Sequence, residues 1–425
     1  MKHLFFLIIA FLSANIYAQN NLDYFVNKAL KNSPLLQKQN NENKILDLDI
    51  KLFEKIYNSP TVSLNANVIF APIISTDNNN TKFELASAGA NNYYGYDLGA
   101  SNGGQYQALI SVNQPLFTKK YLEAQKSKIT ILKEKYENQV VLTKLELKQA
   151  VTHQYILCIQ SKKSIDNAIE INDILQTQID EMKPLVNAGI FKYIDLKWIE
   201  IALKNNKVEQ ERLKIEYQSN VNALNLLCGV ETNKIADLEF INLQLSNPLQ
   251  TNSVFSNQYK LDSLMVQSDQ KIANLKYLPQ VNAFGDLGLN ATYLPRLNRL
   301  GFSVGIGLNW NLFDGHHQKL KEQQNQIKLE NLQYDKAYFV HQNTIRKNNL
   351  LSQMQSLDKQ LVLINQQLKD YQDLLKLYQV ELKEGLVSVL ELKTVIKEIA
   401  LQKQAKTNLK LSKQVIINAY NYWNH

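Results

Sequence analysis

Residues 115–118 read Pro-Leu-Phe-Thr, and residues 311–314, which lie 196 positions further on, read Asn-Leu-Phe-Asp. Each quartet follows a segment in which polar and apolar residues alternate, and each opens a long segment of helical periodicity. Because alternation indicates a strand and the longer period indicates a helix, both quartets mark a strand-to-helix junction. Two such junctions at different positions point to a duplicated chain.

The chain reversals that follow the junctions are equally spaced. Gly189 lies 72 residues after Phe117, and Gly385 lies 72 residues after Phe313. Each glycine interrupts the helical pattern, and a second helical segment follows it. The sequence therefore predicts a tandem duplication of a unit with strands, a long helix, a turn and a returning helix. Neither copy has enough strands to close a sheet, so we expect the function to belong to an assembly.

The N-terminus is typical of a secretory signal peptide. Lys2 precedes the apolar run Leu4–Leu12, and Ser13–Ala18 is a plausible cleavage region. We predict residues 1–18 as the signal peptide. An uncleaved anchor helix is the alternative, although this apolar run is well short of the ~20 residues that a bilayer requires. The chain is thus expected in the periplasm, outside the cell, or in an outer membrane as strands.

The composition favours a few very long elements and excludes several function classes. Only 14 Gly and 8 Pro occur in 425 residues, and the net charge of +8 comes from Lys and Glu residues scattered along helical segments. Nucleic-acid binding needs a basic patch with aromatic neighbours, and the sequence contains none. Cys158 and Cys228 are far apart, so they are either two ordinary helical cysteines or a disulfide in an oxidising compartment.

Four segments show the alternation of β-strands, with an apolar face opposite a face of Asn, Ser, Gly and Gln. Leu109, Phe284 and Gly285 are the exceptions to this pattern. Alternation over about ten residues suits a transmembrane barrel strand with lipid on one side and water on the other. A soluble, half-buried sheet alternates in the same way and is the alternative. The four segments are 61–70, 105–114, 281–290 and 300–311.

Four strands alone would leave two unpaired edges in lipid, which is not viable. Two copies of the chain would give eight strands, whose interior is filled by side chains. Three copies would give twelve strands and room for a channel, so we predict a trimer. The connection 71–104 is much longer than 291–299, and long barrel loops normally face outside.

The helical segments after Thr118 and Asp314, the two predicted N-caps, run for 65–70 residues, on the order of 100 Å. Apolar residues step by three and four along the second helix, which indicates a coiled-coil seam. The seam recurs 196 positions earlier with one polar member. Its members are Leu361, Ile364, Leu368, Tyr371, Leu375, Tyr378 and Leu382, and in the first repeat Ile165, Ala168, Asn172, Leu175, Ile179, Met182 and Val186.

Two shorter helices, about 22–57 and 253–277, are predicted to precede the first and third strands. The pattern breaks in residues 230–252, which we expect to form an irregular equatorial connecting segment. The predicted organisation is therefore a first structural repeat at 19–229, the connecting segment at 230–252, and a second structural repeat at 253–425.

These features together resemble the outer-membrane efflux, or TolC-like, family. The resemblance rests on the duplicated layout, the junctions at 115–117 and 311–315, the turns at Gly189 and Gly385, and the opening segment Leu22–Leu35. It implies a mixed fold of α-helices and a transmembrane β-barrel. A trimeric 12-stranded β-barrel would be continued by a 12-helix periplasmic α-barrel.

The resemblance also implies the function and the partners. Members of the family are passive exit ducts of tripartite efflux or type I secretion systems, and they span the outer membrane and periplasm of Gram-negative bacteria. The expected partners are a homotrimer, outer-membrane lipid, a periplasmic adaptor protein, and an inner-membrane pump reached through the adaptor. Nucleic acid is not an expected partner, and the exported substrate is not specified by the sequence.

By the same resemblance, acidic residues just after each turn would close the periplasmic end of the duct. The matching positions are Asp195 and Glu391, six residues past each glycine, and carboxylates there would favour cations. Three residues further on, Trp198 and Thr394 are the other two aperture candidates, but neither is acidic, so a full second acidic ring is not expected. The alternative for both carboxylates is an ordinary helix-start acid favoured by the helix dipole. The expected adaptor-docking tips are Ala188, Gly189, Glu384 and Gly385.

We predict no enzyme activity, no cofactor and no metal site. His316 and His317 begin a helix but lack the i, i+4 spacing or carboxylate partner of a metal site. The alternatives to an exit duct are a periplasmic coiled-coil scaffold protein and a general diffusion porin. In the scaffold, the four strands would form a soluble sheet. A plain coiled-coil stalk would leave the strands unexplained, and porins lack helices of this length.

Overall fold

The computed structural model describes residues 21–85, 90–95, 104–231, 238–247, 253–291, 300–384, 386 and 388–425. The predicted signal peptide, residues 1–18, and the predicted tip residue Gly385 lie outside the described residues. So do 292–299 of the predicted second loop and parts of the predicted connecting segment 230–252. The described parts of that segment, residues 230–231 and 238–247, have no regular secondary structure.

Long helices dominate the described chain. The helices are α1 (Leu22–Asn32), α2 (Pro34–Asn58), α3 (Lys119–Asn187), α4 (Tyr193–Cys228), α5 (Val254–Leu275), α6 (His317–Lys383) and α7 (Val389–Trp423). The strands are β1 (Thr61–Phe70), β2 (Ile73–Ser75), β3 (Lys82–Glu84), β4 (Tyr93–Tyr94), β5 (Gly104–Leu116), β6 (Gln280–Ala291) and β7 (Leu300–Asn309). Within the described residues, no helix is both long enough and apolar enough to span a membrane.

The helix predicted at 22–57 is interrupted. It consists of α1 and α2, and Ser33 between them is extended, with φ −64° and ψ 115°. The ring of Pro34 disfavours helical backbone in the residue before it, which ends α1 and starts α2. At the other end of α1, the Asn21 side chain caps the helix by accepting a hydrogen bond from the Tyr24 amide at 2.9 Å.

The chain divides into two compact units. The helical unit comprises the described residues up to Asn40 together with Glu137–Tyr259 and Tyr334–His425. The sheet unit comprises Asn41–Tyr136 and Lys260–Gln333. Each unit therefore draws on both sequence repeats.

The sheet unit contains a four-stranded antiparallel sheet of order β1-β5-β6-β7. Its strands occupy the four segments that alternate in sequence. β7 ends at Asn309 rather than at 311, and the indole nitrogen of Trp310 donates instead to the Tyr277 carbonyl at 3.1 Å. The loop 71–104, which has no sequence pattern, contains a second small sheet of order β3-β2-β4.

The helical unit has one core around α1, α3 and α4, with residues from α7 and the connecting segment. Tyr155, Cys158 and Cys228 lie in it, and both cysteines are free thiols. Burial raises the pKa of each thiol to about 12. The cysteines are therefore protonated packing residues at neutral pH.

A second core of the helical unit lies where α3 and α6 end and α4 and α7 begin. It contains Met182, Leu382 and Leu392 and continues the predicted seams of both long helices. All fourteen predicted seam residues are buried or half-buried. The polar member, Asn172, donates to Gln210 at 2.9 Å and accepts from Asn206 at 2.8 Å, so its amide is satisfied.

Candidate functional site

One face of the four-stranded sheet is apolar and exposed. Phe302 is 82% exposed and Val68 is 75% exposed, although the hydrophobic effect normally buries side chains of this kind. A contiguous exposed apolar surface marks contact with lipid or with another protein. Members of this face include Val62, Leu64, Val68, Phe70, Ile110, Val112, Leu287, Leu300, Phe302, Val304, Ile306 and Leu308.

The opposite face carries a polar network that crosses all four strands. Ser63, Ser111, Asp286 and Ser303 form one row in the strand register. The Ser111 hydroxyl donates to one Asp286 oxygen at 2.6 Å, and the Ser303 hydroxyl donates to the other at 3.2 Å. Asn65 donates to the Ser111 hydroxyl at 3.1 Å. This face is suited to water rather than to lipid.

The strand register accounts for one exception in the alternating pattern, Phe284. Leu109 and Phe284 both lie on the polar face, where Phe284 is paired with Gly305 of β7. A Cβ atom added to Gly305 would lie 2.5 Å from Cζ of Phe284. The ring of Phe284 therefore packs over Gly305 and does not project away from the sheet.

Gly288 is required by the backbone of the neighbouring strand. Its φ is +156°, and an added Cβ would lie 2.0 Å from the carbonyl oxygen of Ala108. Gly301, its register partner on β7, has open space at the same position. Of this pair, only Gly288 is fixed by sterics.

The first predicted tip is a helix C-terminus closed by a Schellman motif. Gly189 has φ +77°, and its amide donates to the Val186 carbonyl at 3.0 Å. The Ile190 amide donates to the Leu185 carbonyl, also at 3.0 Å. This pair of bonds needs a left-handed residue at the position of Gly189, which explains the glycine. Ala188 and Gly189 are exposed.

The second predicted tip has the corresponding long bond. The Leu386 amide donates to the Glu381 carbonyl at 2.9 Å, and both residues are 196 positions beyond their counterparts in the first tip. Glu384 is exposed. The docking role of both tips stays a prediction.

The two aperture carboxylates occupy matching positions at the starts of α4 and α7. Asp195 accepts a hydrogen bond from the Lys192 amide at 3.3 Å. Glu391 accepts from the Ser388 amide at 2.9 Å and from its hydroxyl at 2.8 Å, and this bonding lowers the pKa of Glu391. The Ser388 hydroxyl in turn accepts from the Glu391 amide at 3.3 Å, which completes a capping box.

The other two aperture candidates make different contacts. Trp198 lies beside Lys393, whose ammonium is 5.0 Å from the ring centroid, so the pair joins α4 to α7 by a cation–π interaction. Thr394 is exposed, and its hydroxyl donates to the Leu390 carbonyl at 2.8 Å. The helix-start alternative thus accounts for the contacts of both carboxylates, and the aperture role of all four residues stays a prediction.

The residue that sequence reasoning missed is Asp286. Asp286 occupies a polar position in an alternating strand, so the sequence could have placed it on the polar face. Its hydrogen bonds to Ser111 and Ser303 could be identified only from the pairing of the strands in the structure. Within the described residues, no group of three or more His, Cys, Asp or Glu side chains could hold a metal ion.

The comparisons with known proteins agree with this architecture. Residues 265–419 match the family model of the outer membrane efflux proteins. No curated protein sequence matches the chain. Solved structures with the same fold include CusC, at 13% identity with a TM-score of 0.72, which covers 95% of this chain and 91% of its own.

Two other solved structures give similar values. VceC from Vibrio cholerae is 14% identical with a TM-score of 0.68, and 95% of each chain is covered. The open state of the MtrE channel from Neisseria gonorrhoeae is 13% identical with a TM-score of 0.67, and covers 95% of this chain and 88% of its own. At such identities, these similarities establish the fold.

The chain therefore has the fold of TolC-like channels. Its second repeat carries the sequence of the outer membrane efflux protein family, which confirms the resemblance. This family consists of transport channels rather than enzymes. The family match supports an outer-membrane location.

Proposed function

We propose that the protein is a passive, trimeric exit duct of a tripartite efflux or type I secretion system. The observation that carries this proposal is the four-stranded sheet, which has a polar face, an exposed apolar face and two open edges. An open edge in lipid would leave backbone groups without partners. The sheet therefore needs further strands before it can enter a membrane.

Copies of the same chain can supply those strands. Neighbouring strands alternate in direction along β1-β5-β6-β7, so β1 and β7 run antiparallel to each other. β1 of one copy can accordingly pair antiparallel with β7 of the next. The ring then closes with an even number of strands, as bacterial outer-membrane barrels do.

Three copies fit the remaining observations better than two. Eight strands enclose an interior that side chains just fill, whereas twelve leave room for a channel. On α2, Ile45, Leu48, Leu52 and Ile56 form an exposed apolar stripe at helical spacing, which a neighbouring copy would cover. The trimer would thus combine a 12-stranded β-barrel with a 12-helix α-barrel.

The partners follow from the family. A periplasmic adaptor would dock on the tips at Ala188, Gly189, Glu384 and Gly385 and connect the duct to an inner-membrane pump, which would supply the energy. Asp195, Glu391, Trp198 and Thr394 are the candidates for the periplasmic aperture. Trp198 and Lys393 would then join the returning helices of the two repeats beside that aperture.

The mass of the protein extracted from outer membranes with detergent tests the proposal. We expect a complex of three chains that forms ion-conducting channels in planar bilayers. Recovery as a monomer or dimer without detergent would favour the periplasmic scaffold. To separate the duct from a general porin, the gene is deleted in strains with and without the pump. If the protein is a duct, deleting its gene should reduce drug tolerance only in the strain that has the pump.

A further inference from the structure

In the amino-acid sequences of β1, β5, β6 and β7, Asp286 is the only charged residue. It lies on the polar face, in one row with Ser63, Ser111 and Ser303. The strands therefore supply no basic residue that could neutralise its charge. Its carboxylate oxygens accept hydrogen bonds from two hydroxyls, which are neutral.

The hydroxyl contacts hold the carboxylate in place without removing its charge. Ser111 and Ser303 belong to the strands on either side of β6, so they bind Asp286 from both directions. Both donors are neutral hydroxyls, so they fix the position of the carboxylate and add no opposite charge beside it. The charge is thus fixed on the face of the sheet that we assign to water.

The surroundings of Asp286 leave space in front of this face. The neighbouring positions on β7 are Gly301 and Gly305, and the ring of Phe284 lies over Gly305. The large side chain of Phe284 on this face therefore packs against the sheet instead of projecting from it.

We propose that Asp286 is a specificity-determining residue that makes the membrane-spanning part of the duct prefer cationic solutes. This inference rests on the proposed function, because a trimer places three copies of Asp286 at one level of the barrel. Fixed charges of one sign on a low-dielectric wall concentrate counter-ions. Rings of Asp or Glu side chains select cations in channels for this reason.

The test is the reversal potential of the purified trimer in a planar bilayer with a potassium chloride gradient. We expect the wild type to prefer potassium over chloride. In Asp286→Asn, which keeps the size of the side chain, we expect the cation-to-anion permeability ratio to fall about twofold or more. At an ionic strength of 0.15 M, the Debye length is about 8 Å, so a tenfold increase in salt should weaken the preference.

Three further variants make the test specific. Asn282→Asp, combined with Asp286→Asn, returns one carboxylate to the same face of β6 and should restore the preference. Asn67→Ser changes a neutral side chain on the same face and leaves Asp286 and its two partners untouched, so its ratio should stay near that of the wild type. The double variant Asp195→Asn/Glu391→Gln measures the contribution of the predicted aperture separately.

The outcomes distinguish this inference from the proposed duct. Channels that conduct with the same permeability ratio in the wild type and in Asp286→Asn would overturn the role of Asp286 and leave the duct intact. If the double variant Asn282→Asp/Asp286→Asn does not regain the cation preference, this result would also contradict an effect of charge. A trimer that forms no conducting channel in any variant would overturn the duct and the inference together.

Discussion

The two repeats build the polar face of the sheet from different side chains. β1 and β5, from the first repeat, use Ser, Asn and Gln, whose hydrogen bonds join neighbouring strands. β6 and β7, from the second repeat, use Asp286, Ser303 and several glycines, two of which lie beneath Phe284 and Asn282. A polar lining can therefore be made either from short polar side chains or from glycines that leave space for larger neighbours.

This difference has consequences for mutation. The short polar side chains of β1 and β5 extend from the face, and substitutions there change chemistry more than backbone geometry. The glycines of β6 and β7 differ among themselves, because some are required by close contacts and others have open space.

The largest effect is expected for Gly288→Ala. The added Cβ would lie 2.0 Å from the Ala108 carbonyl oxygen, so β5 and β6 could not keep their pairing. We expect loss of the assembled complex, measured as the trimer fraction in outer-membrane extracts. The matched control is Gly301→Ala, where nothing lies within 4 Å and assembly should be unchanged. Equal trimer fractions in the two variants would contradict this steric argument.

A smaller effect is expected for Gly305→Ala. Its Cβ would lie 2.5 Å from the Phe284 ring, which must then move off the wall. Overpacking of this kind costs about 1–3 kcal/mol. The thermal midpoint of the extracted protein should fall, and the channel conductance should decrease as the ring enters the lumen.

The double variant Gly305→Ala/Phe284→Ser checks the cause. Without the ring, the added methyl group has no steric conflict, so the conductance should return to the wild-type value or rise above it. Two independent, additive effects would show that Phe284 and Gly305 do not act as a pair.

The smallest effect is expected at the tip helices, where the repeats also differ. Ser388 completes a capping box at α7, whereas Lys192 at the matching position of α4 makes no side-chain cap. Ser388→Ala should destabilise the first turn of α7 by about 1 kcal/mol, and Lys192→Ser should stabilise that of α4. Hydrogen exchange of the amides in each first turn measures both changes. Faster exchange in α4 of Lys192→Ser would contradict the capping argument.

The cap of α7 should also respond to pH. Bonding to the Ser388 amide and hydroxyl lowers the pKa of Glu391 in the folded chain. Its contribution is therefore complete at neutral pH and is lost as the pH falls through the lowered pKa. Exchange of the first-turn amides of α7 should accelerate on acidification more in the wild type than in Glu391→Gln, after correction for the intrinsic rate.

Sequence periodicity located the main elements because their patterns are long. Ten alternating residues specify a strand, and seven apolar residues at steps of three and four specify a buried helix face. Local chemistry was predicted less well. The sequence did not identify the short strands of the loop 71–104, which lack a pattern, and the helix predicted at 22–57 is broken before Pro34.

The junctions show the same limit. Thr118 was predicted as an N-cap, but its hydroxyl donates to the Tyr57 carbonyl at 3.1 Å. Asp314 accepts from the Gln318 amide at 2.8 Å, although α6 begins only at His317. Residue preferences identified both places as helix starts, but the partners of the side chains depended on segments that are distant or offset in sequence.

The sequence by itself determined the duplication, the four long strands, the seams of the long helices and the family resemblance, because each is a repeated pattern of side-chain character. Only the tertiary structure decided which residues stand opposite each other. The strand register places Ser111 and Ser303 against Asp286, Phe284 over Gly305, and Leu109 opposite Gly288, whose missing Cβ leaves room for the Ala108 carbonyl oxygen. The period of a sequence pattern describes one element, whereas the register relates two strands. The backbone hydrogen bonds and close contacts that fix the register form only when the strands pair.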